Sequence, residues 1–138
     1  GMADEAEEAY EKAIKINPYL AGAYNNRGLA YEKKGDLNQA ISDYSKAIEI
    51  RPNFAGTYDN RGITYQKKGD LNQAISDYSQ AVAINPNLAK AYYNRAEAYF
   101  FNREYEQAWD DLYRAQGLGY KIDPRFIEVL KHDSGREK

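Results

Sequence analysis

Asn26, Asn60 and Asn94 stand at intervals of 34 residues, and an asparagine amide donates and accepts hydrogen bonds at once. A second row keeps the same interval: Arg27, Arg61 and Arg95, each followed sixteen positions later by an acid, Asp43, Asp77 and Asp111. Two chemistries fit this row. The arginines could pair with the aspartates and tie two segments together, with their stems packed on tyrosines, or they could line up to hold an anionic ligand. Catalytic chemistry is poorly supplied. His132 is the only histidine and there is no cysteine. A general base needs an orienting partner and a pocket, and nothing around His132 suggests either. No metal-ligand cluster, phosphate-binding glycine loop or serine in a nucleophile setting is present. Neither an enzyme nor a bound metal or cofactor is expected.

The elements that position these rows are written twice. Residues 33–45 read KKGDLNQAISDYS, and residues 67–79 repeat them without change. Pro18, Pro52 and Pro86 keep the period, as do Tyr24, Tyr58 and Tyr92. Tyr24, Gly28 and Tyr31 recur at spacings of four and three, which places them on one helical face, and a small residue at Gly28 lets a partner helix approach. Lys33 and Lys34 suit a helix C-terminus, and Gly35 supplies a left-handed stop. Asp36, with Gln39 three residues on, has the spacing of a capping box. Ala40, Tyr44 and Ala47 form the inward face of a second helix, which Pro52 ends, with Asn53 placed to cap the next. Nine of the 14 tyrosines fall on this register, so core packing outweighs ligand stacking as their role.

A 34-residue period of two helices resembles the tetratricopeptide repeat, and the resemblance covers nearly the whole chain. It implies an all-α fold, a right-handed solenoid of antiparallel helix pairs. The divisions are 1–20, matching only the second helix of a repeat; repeats at 21–54 and 55–88; a diverged repeat at 89–122; a capping helix at 123–132, begun by Asp123-Pro124 and carrying Phe126, Ile127 and Leu130; and a disordered tail at 133–138. The resemblance also implies that the first helix of each repeat lines a concave groove for a peptide. The candidate peptide-binding residues are then Asn25 and Asn26 in the first repeat and Asp59 and Asn60 in the second. Lys90, Tyr93, Asn94, Phe100 and Phe101 come from the third, where Glu97 also faces the groove. The asparagine row could grip peptide backbone, since helices spaced about 8–10 Å apart match roughly three residues of an extended chain at about 3.3 Å each; equally, it could bond within the array. Phe100 and Phe101, with Tyr93 nearby, replace the polar pairs Glu32-Lys33 and Gln66-Lys67. They are either an aromatic anchor or buried against neighbouring helices. Some co-chaperone repeat domains clamp a chaperone's C-terminal carboxylate, but of the positions that form that clamp, Asn25, Leu29, Asn60, Lys90 and Asn94, only Asn60 and Lys90 match.

The partner expected is therefore a protein or peptide. A net charge of −2 argues against nucleic acid, which needs a basic face. No apolar run is long enough to cross a membrane and no signal peptide is visible, so a cytoplasmic location is favoured. Gly1-Met2 reads as a start methionine behind a tag scar, and the chain could be part of a larger protein. Ala6, Tyr10 and Ala13 correspond to residues that elsewhere pack on the first helix of their own repeat. Their partly bare face suggests self-assembly, with a homodimer formed through the N-terminal helix.

Overall fold

Eight helices account for most of residues 2–136, the part of the chain that the computed structural model describes: α1 (Met2–Ile16), α2 (Ala21–Lys34), α3 (Leu37–Ile50), α4 (Ala55–Lys68), α5 (Leu71–Ile84), α6 (Ala89–Phe101), α7 (Tyr105–Gly117) and α8 (Pro124–Ser134). Each packs on the next in sequence, and α2 also meets α4, as α4 meets α6. The two-residue links at 35–36 and 69–70 force the joined helices antiparallel. Gly35 and Gly69 make those links possible: both take the left-handed conformation, at φ 87° and 91°, and their N–H groups return to Glu32 and Gln66.

The helix pairs close through one knob. A methyl group on Gly28 would stand 2.7 Å from Cε1 of Tyr44, and one on Gly62 would stand 2.6 Å from Cε1 of Tyr78. Both rings are fully buried, and their hydroxyls donate to Glu32 (3.0 Å) and Gln66 (2.8 Å). In the third pair the positions read Ala96 and Leu112, which share one core cluster. A larger residue on one helix is matched by a smaller ring-free one on the other. None of the nine tyrosines on the register is exposed; those that are, Tyr19 and Tyr113, lie off it.

The arginines tie each pair together. Arg27, Arg61 and Arg95 make two-pronged bonds to Asp43, Asp77 and Asp111 at 2.6–2.8 Å, and the carboxylates are buried. Each guanidinium also lies over two tyrosines, 5.7–5.9 Å from their ring centres. These contacts decide between the two uses of the arginine row: the guanidinium groups are engaged inside the array and do not form a row for an anion. Arg61 and Arg95 donate in addition to Ser45 and Ser79 of the preceding repeat, at 3.0 and 3.1 Å, a backward link that the pairing of each arginine with a later aspartate did not suggest.

Three local expectations need correction. Asp70 accepts from the Gln73 N–H, but Asp36 makes no such side-chain cap; it lies instead 4.0 Å from the Lys34 ammonium. Asn53 does not cap α4, because that helix begins at Ala55 and puts Phe54 at the cap position. At the far end, Asp123 caps α8 as its sequence suggests, but the helix continues through Asp133 and Ser134, into the stretch expected to be tail. Ser134 accepts the Trp109 indole N–H at 3.1 Å, and Arg136 reaches Glu106 at 2.7 Å. Residues 137 and 138, also assigned to that tail, lie outside the described residues.

Candidate peptide-binding face

Helices α2, α4 and α6 carry every residue singled out for binding. Their sequences AGAYNNRGLAYEKK, AGTYDNRGITYQKK and AKAYYNRAEAYFF align position for position, so corresponding side chains lie one repeat apart on a shared face. The asparagines do not stand free there. Asn60 Nδ2 donates to Asn25 Oδ1 and Asn94 Nδ2 to Asp59 Oδ1, each at 3.1 Å. These bonds step back 35 residues and knit neighbouring helices together. An amide has two donors and a carbonyl oxygen, so one such bond leaves capacity for another partner. Asn26 is exposed.

Lys90 and Asp59, both candidates for peptide contact, face each other at 3.7 Å. Asp59 is buried, and burial raises its carboxyl above the usual range while Asn94 and Lys90 pull it back in part. The aromatic group divides as well. Tyr93 stacks on Tyr120, ring centres 4.8 Å apart, and meets Phe126 at 5.8 Å. Phe100 sits edge-on to Phe126 at 5.6 Å. Both are half-buried because the apolar face of α8 needs cover and they supply it. Phe101 is 61% exposed. Of the expected anchor, Phe101 alone presents an open ring.

Asn94 and Phe101, both binding candidates, and the groove-facing Glu97 border a larger feature, whose remaining lining was outside the candidate set. A cavity of about 550 Å³ opens between α4 and α6, floored by Tyr78 of α5 and bounded by Ile63, Leu71, Asn94, Glu97 and Phe101. One repeat earlier the same seam is bridged: Lys67 Nζ lies 2.7 Å from Glu32 Oε2. The counterparts of that pair at the later seam are Phe101 and Gln66, which cannot form an ion pair. Glu97 occupies the register position of Leu29 and Ile63. Burial alone raises its carboxyl above the usual range. The sequence signal was a single acid at an otherwise apolar position.

A second cavity, about 420 Å³, lies at the other end, between α1 and α2, and is lined in part by Ala6, Tyr10, Asn26 and Leu29. Tyr10 holds the register position of Tyr44 and Tyr78 but is half-buried where they are fully enclosed.

Family models described as tetratricopeptide repeat match residues 21–54 and 44–76, and one described as TPR repeat matches residues 1–35 and 65–102. The chain belongs to the tetratricopeptide repeat family. Among solved structures, a domain titled the first TPR of Spaghetti (RPAP3), bound to the HSP90 peptide SRMEEVD, is 30% identical, with TM-score 0.77 over 83% of this chain and 90% of that one. A structure of the MamA protein is 24% identical, with TM-score 0.85 over 99% of this chain and 75% of that one; another superposes with TM-score 0.82 at 24% identity over 86% and 69%. At that identity the MamA structures speak for the fold alone. Tetratricopeptide repeats are protein-interaction modules, and this chain carries their solenoid. No helix among the described residues is long and apolar enough to cross a membrane.

Proposed function

We propose that this tetratricopeptide array binds a peptide segment of a partner protein along the face of α2, α4 and α6. The observation that carries this reading is the open cavity between α4 and α6 with Phe101 exposed at its rim. Exposed aromatic rings beside a pocket are where binding energy concentrates at interfaces, and a solenoid presents such sites along a continuous surface. Asn94 at the cavity, and Asn60 one repeat earlier on the same face, keep spare hydrogen-bonding capacity for the peptide backbone. The related domain's HSP90 peptide supports peptide binding as a mode. The charge pattern here departs from a carboxylate clamp, because Lys90 is engaged by Asp59 and Glu97 brings negative charge to the site. Peptides selected from a displayed random library, then measured by fluorescence anisotropy, test the reading. Phe101→Ala should weaken the best peptide about tenfold or more, consistent with truncation of an anchor, while leaving the fold intact. Unchanged affinity would remove this face from consideration.

A second reading, self-assembly through α1, rests on the cavity beside the half-buried Tyr10. A symmetric copy could cover this patch, and each ~100 Å² of apolar surface covered contributes about 2.5 kcal/mol. Light scattering coupled to size exclusion decides it. A dimer at high micromolar concentration, abolished by Tyr10→Glu, supports it; a strict monomer ends it.

A further inference from the structure

At one seam of the array, three positions change together. The bridging lysine becomes Phe101, its acidic partner becomes Gln66, and the apolar register position becomes Glu97. The first two changes take away the ion pair that spans the preceding seam, and the cavity stands open there. The third places a carboxylate inside it.

Among the described residues, Glu97 makes no ion pair or hydrogen bond, whereas the other acids on this face are engaged. Glu32 holds Lys67, and Asp59 holds Lys90 and Asn94. Lys67 borders the same cavity, yet its ammonium is committed to Glu32 at 2.7 Å. The Tyr78 hydroxyl donates to Gln66, so it does not serve Glu97 either. A half-buried carboxylate in mainly apolar surroundings, without a cation or donor, is costly to maintain, and it becomes favourable when a ligand brings the cation.

We propose that this cavity takes a lysine or arginine side chain of the bound peptide, its aliphatic stem lying against Ile63, Leu71 and Phe101 and its cationic head meeting Glu97. The chemistry of the lining matches such a side chain at both ends. Basic residues place their methylenes on apolar surface and keep the charged head on a polar partner. The Phe101 ring adds a face for a cation, and the carbonyl oxygen of Asn94, whose amide N–H is used by Asp59, remains an acceptor. An acidic or C-terminal carboxylate in this position would meet Glu97 with like charge. The site therefore selects for a basic residue and against an acidic one.

This inference rests on the peptide-binding reading, and the experiment separates the two. A random heptapeptide library displayed on phage is selected in parallel on the full chain and on Glu97→Gln, with circular dichroism confirming equal folding. The strongest wild-type peptide is then synthesised with its basic residue intact, replaced by norleucine, or replaced by glutamate. The expected result is a basic residue enriched at one fixed position on the wild type, and no such preference on Glu97→Gln. Norleucine replacement should weaken wild-type binding at least tenfold and binding to Glu97→Gln no more than twofold. Peptides that depend on Phe101 but show no basic position, or a basic preference that survives Glu97→Gln, would overturn the inference and leave the peptide-binding reading standing. Failure to enrich any Phe101-dependent peptide would overturn both.

Discussion

Gly28 and Glu97 show how single side chains shape this molecule from opposite directions. An alanine in a helix is ordinarily about 1 kcal/mol better than glycine, but at Gly28 the added methyl would stand 2.7 Å from the ring of Tyr44. That ring is enclosed and its hydroxyl is anchored on Glu32, so it cannot swing aside freely. Overpacking of this kind costs about 1–3 kcal/mol, and Gly28→Ala is expected to lower stability by a net ~1 kcal/mol. Adding Tyr44→Leu should relieve the clash, since the third repeat already uses Ala96 with Leu112. A urea double-mutant cycle that returned purely additive effects would contradict the direct contact. Glu97 acts through its charge. Its carboxyl is raised from the ordinary 4.5 by burial alone, although Lys67 and Tyr78 line the same cavity and its charge is felt by Tyr78 and Tyr93. A group whose folded pKa is raised contributes stability below its unfolded pKa, and that contribution is lost as pH rises through the folded value. Glu97→Gln should therefore exceed the wild type in stability at pH 7, with the gap narrowing as pH falls through the raised folded pKa and closed below about 4.5. Parallel denaturation curves at both pH values check this, and a constant gap would mean that the carboxylate is well solvated.

Between helices, the arginine–aspartate pairs carry more weight than ordinary surface ion pairs. In the Arg61–Asp77 pair the side chains keep 20% and 6% of their surface in water. Removing Arg61 leaves a buried carboxylate without its partner, a loss of about 3–5 kcal/mol for fully buried pairs. The lower end applies here because the guanidinium is partly wet. Arg61→Leu is expected to cost about 3 kcal/mol, and Arg61→Leu with Asp77→Leu to recover most of it, as thermal unfolding would show. An equal loss in both variants would assign the effect to packing of the arginine stem. These pairs were legible in sequence because both partners lie within one repeat, at a spacing that the turn at Gly35 or Gly69 fixes. The asparagine bonds were not. Asn60 reaches Asn25 and Asn94 reaches Asp59, and that choice depends on how one repeat rotates onto the next. The same limit hid the fate of Tyr93 and Phe100, which α8 covers from a later part of the chain. Phe101, one residue on, points away from that cover. Helix ends were only half legible: glycine stops held because only a left-handed residue fits there, while Asp36 keeps the cap position but turns its carboxylate towards Lys34, and Asn53 falls one residue short of the cap position at Phe54.

Across the whole array, stability should be graded from the middle outward. In a linear repeat, each unit gains from its own packing and from the seams on either side. The α4–α5 pair has two such seams. One carries Asn60–Asn25, Arg61–Ser45 and Lys67–Glu32; the other carries Asn94–Asp59, Arg95–Ser79 and Lys90–Asp59. Helix α8 is held by the fully buried Leu130 and by the Trp109–Ser134 bond. Among the described residues, helix α1 contributes none to the buried core, and ties to α2 run from the Lys34 ammonium to Asp4 (2.9 Å) and Glu7 (3.1 Å). Ties of this kind contribute at most about 1 kcal/mol and are screened by salt. Native-state hydrogen exchange should therefore find α1 opening first, through a local event well below the global free energy, and the amides around Ala74 and Tyr78 opening last. Raising sodium chloride from low concentration to about 1 M, where the screening length falls to about 3 Å, should lower protection in α1 selectively. If α1 and α5 instead exchange with one common free energy that salt shifts equally, the chain unfolds as a single cooperative block, and the graded account fails.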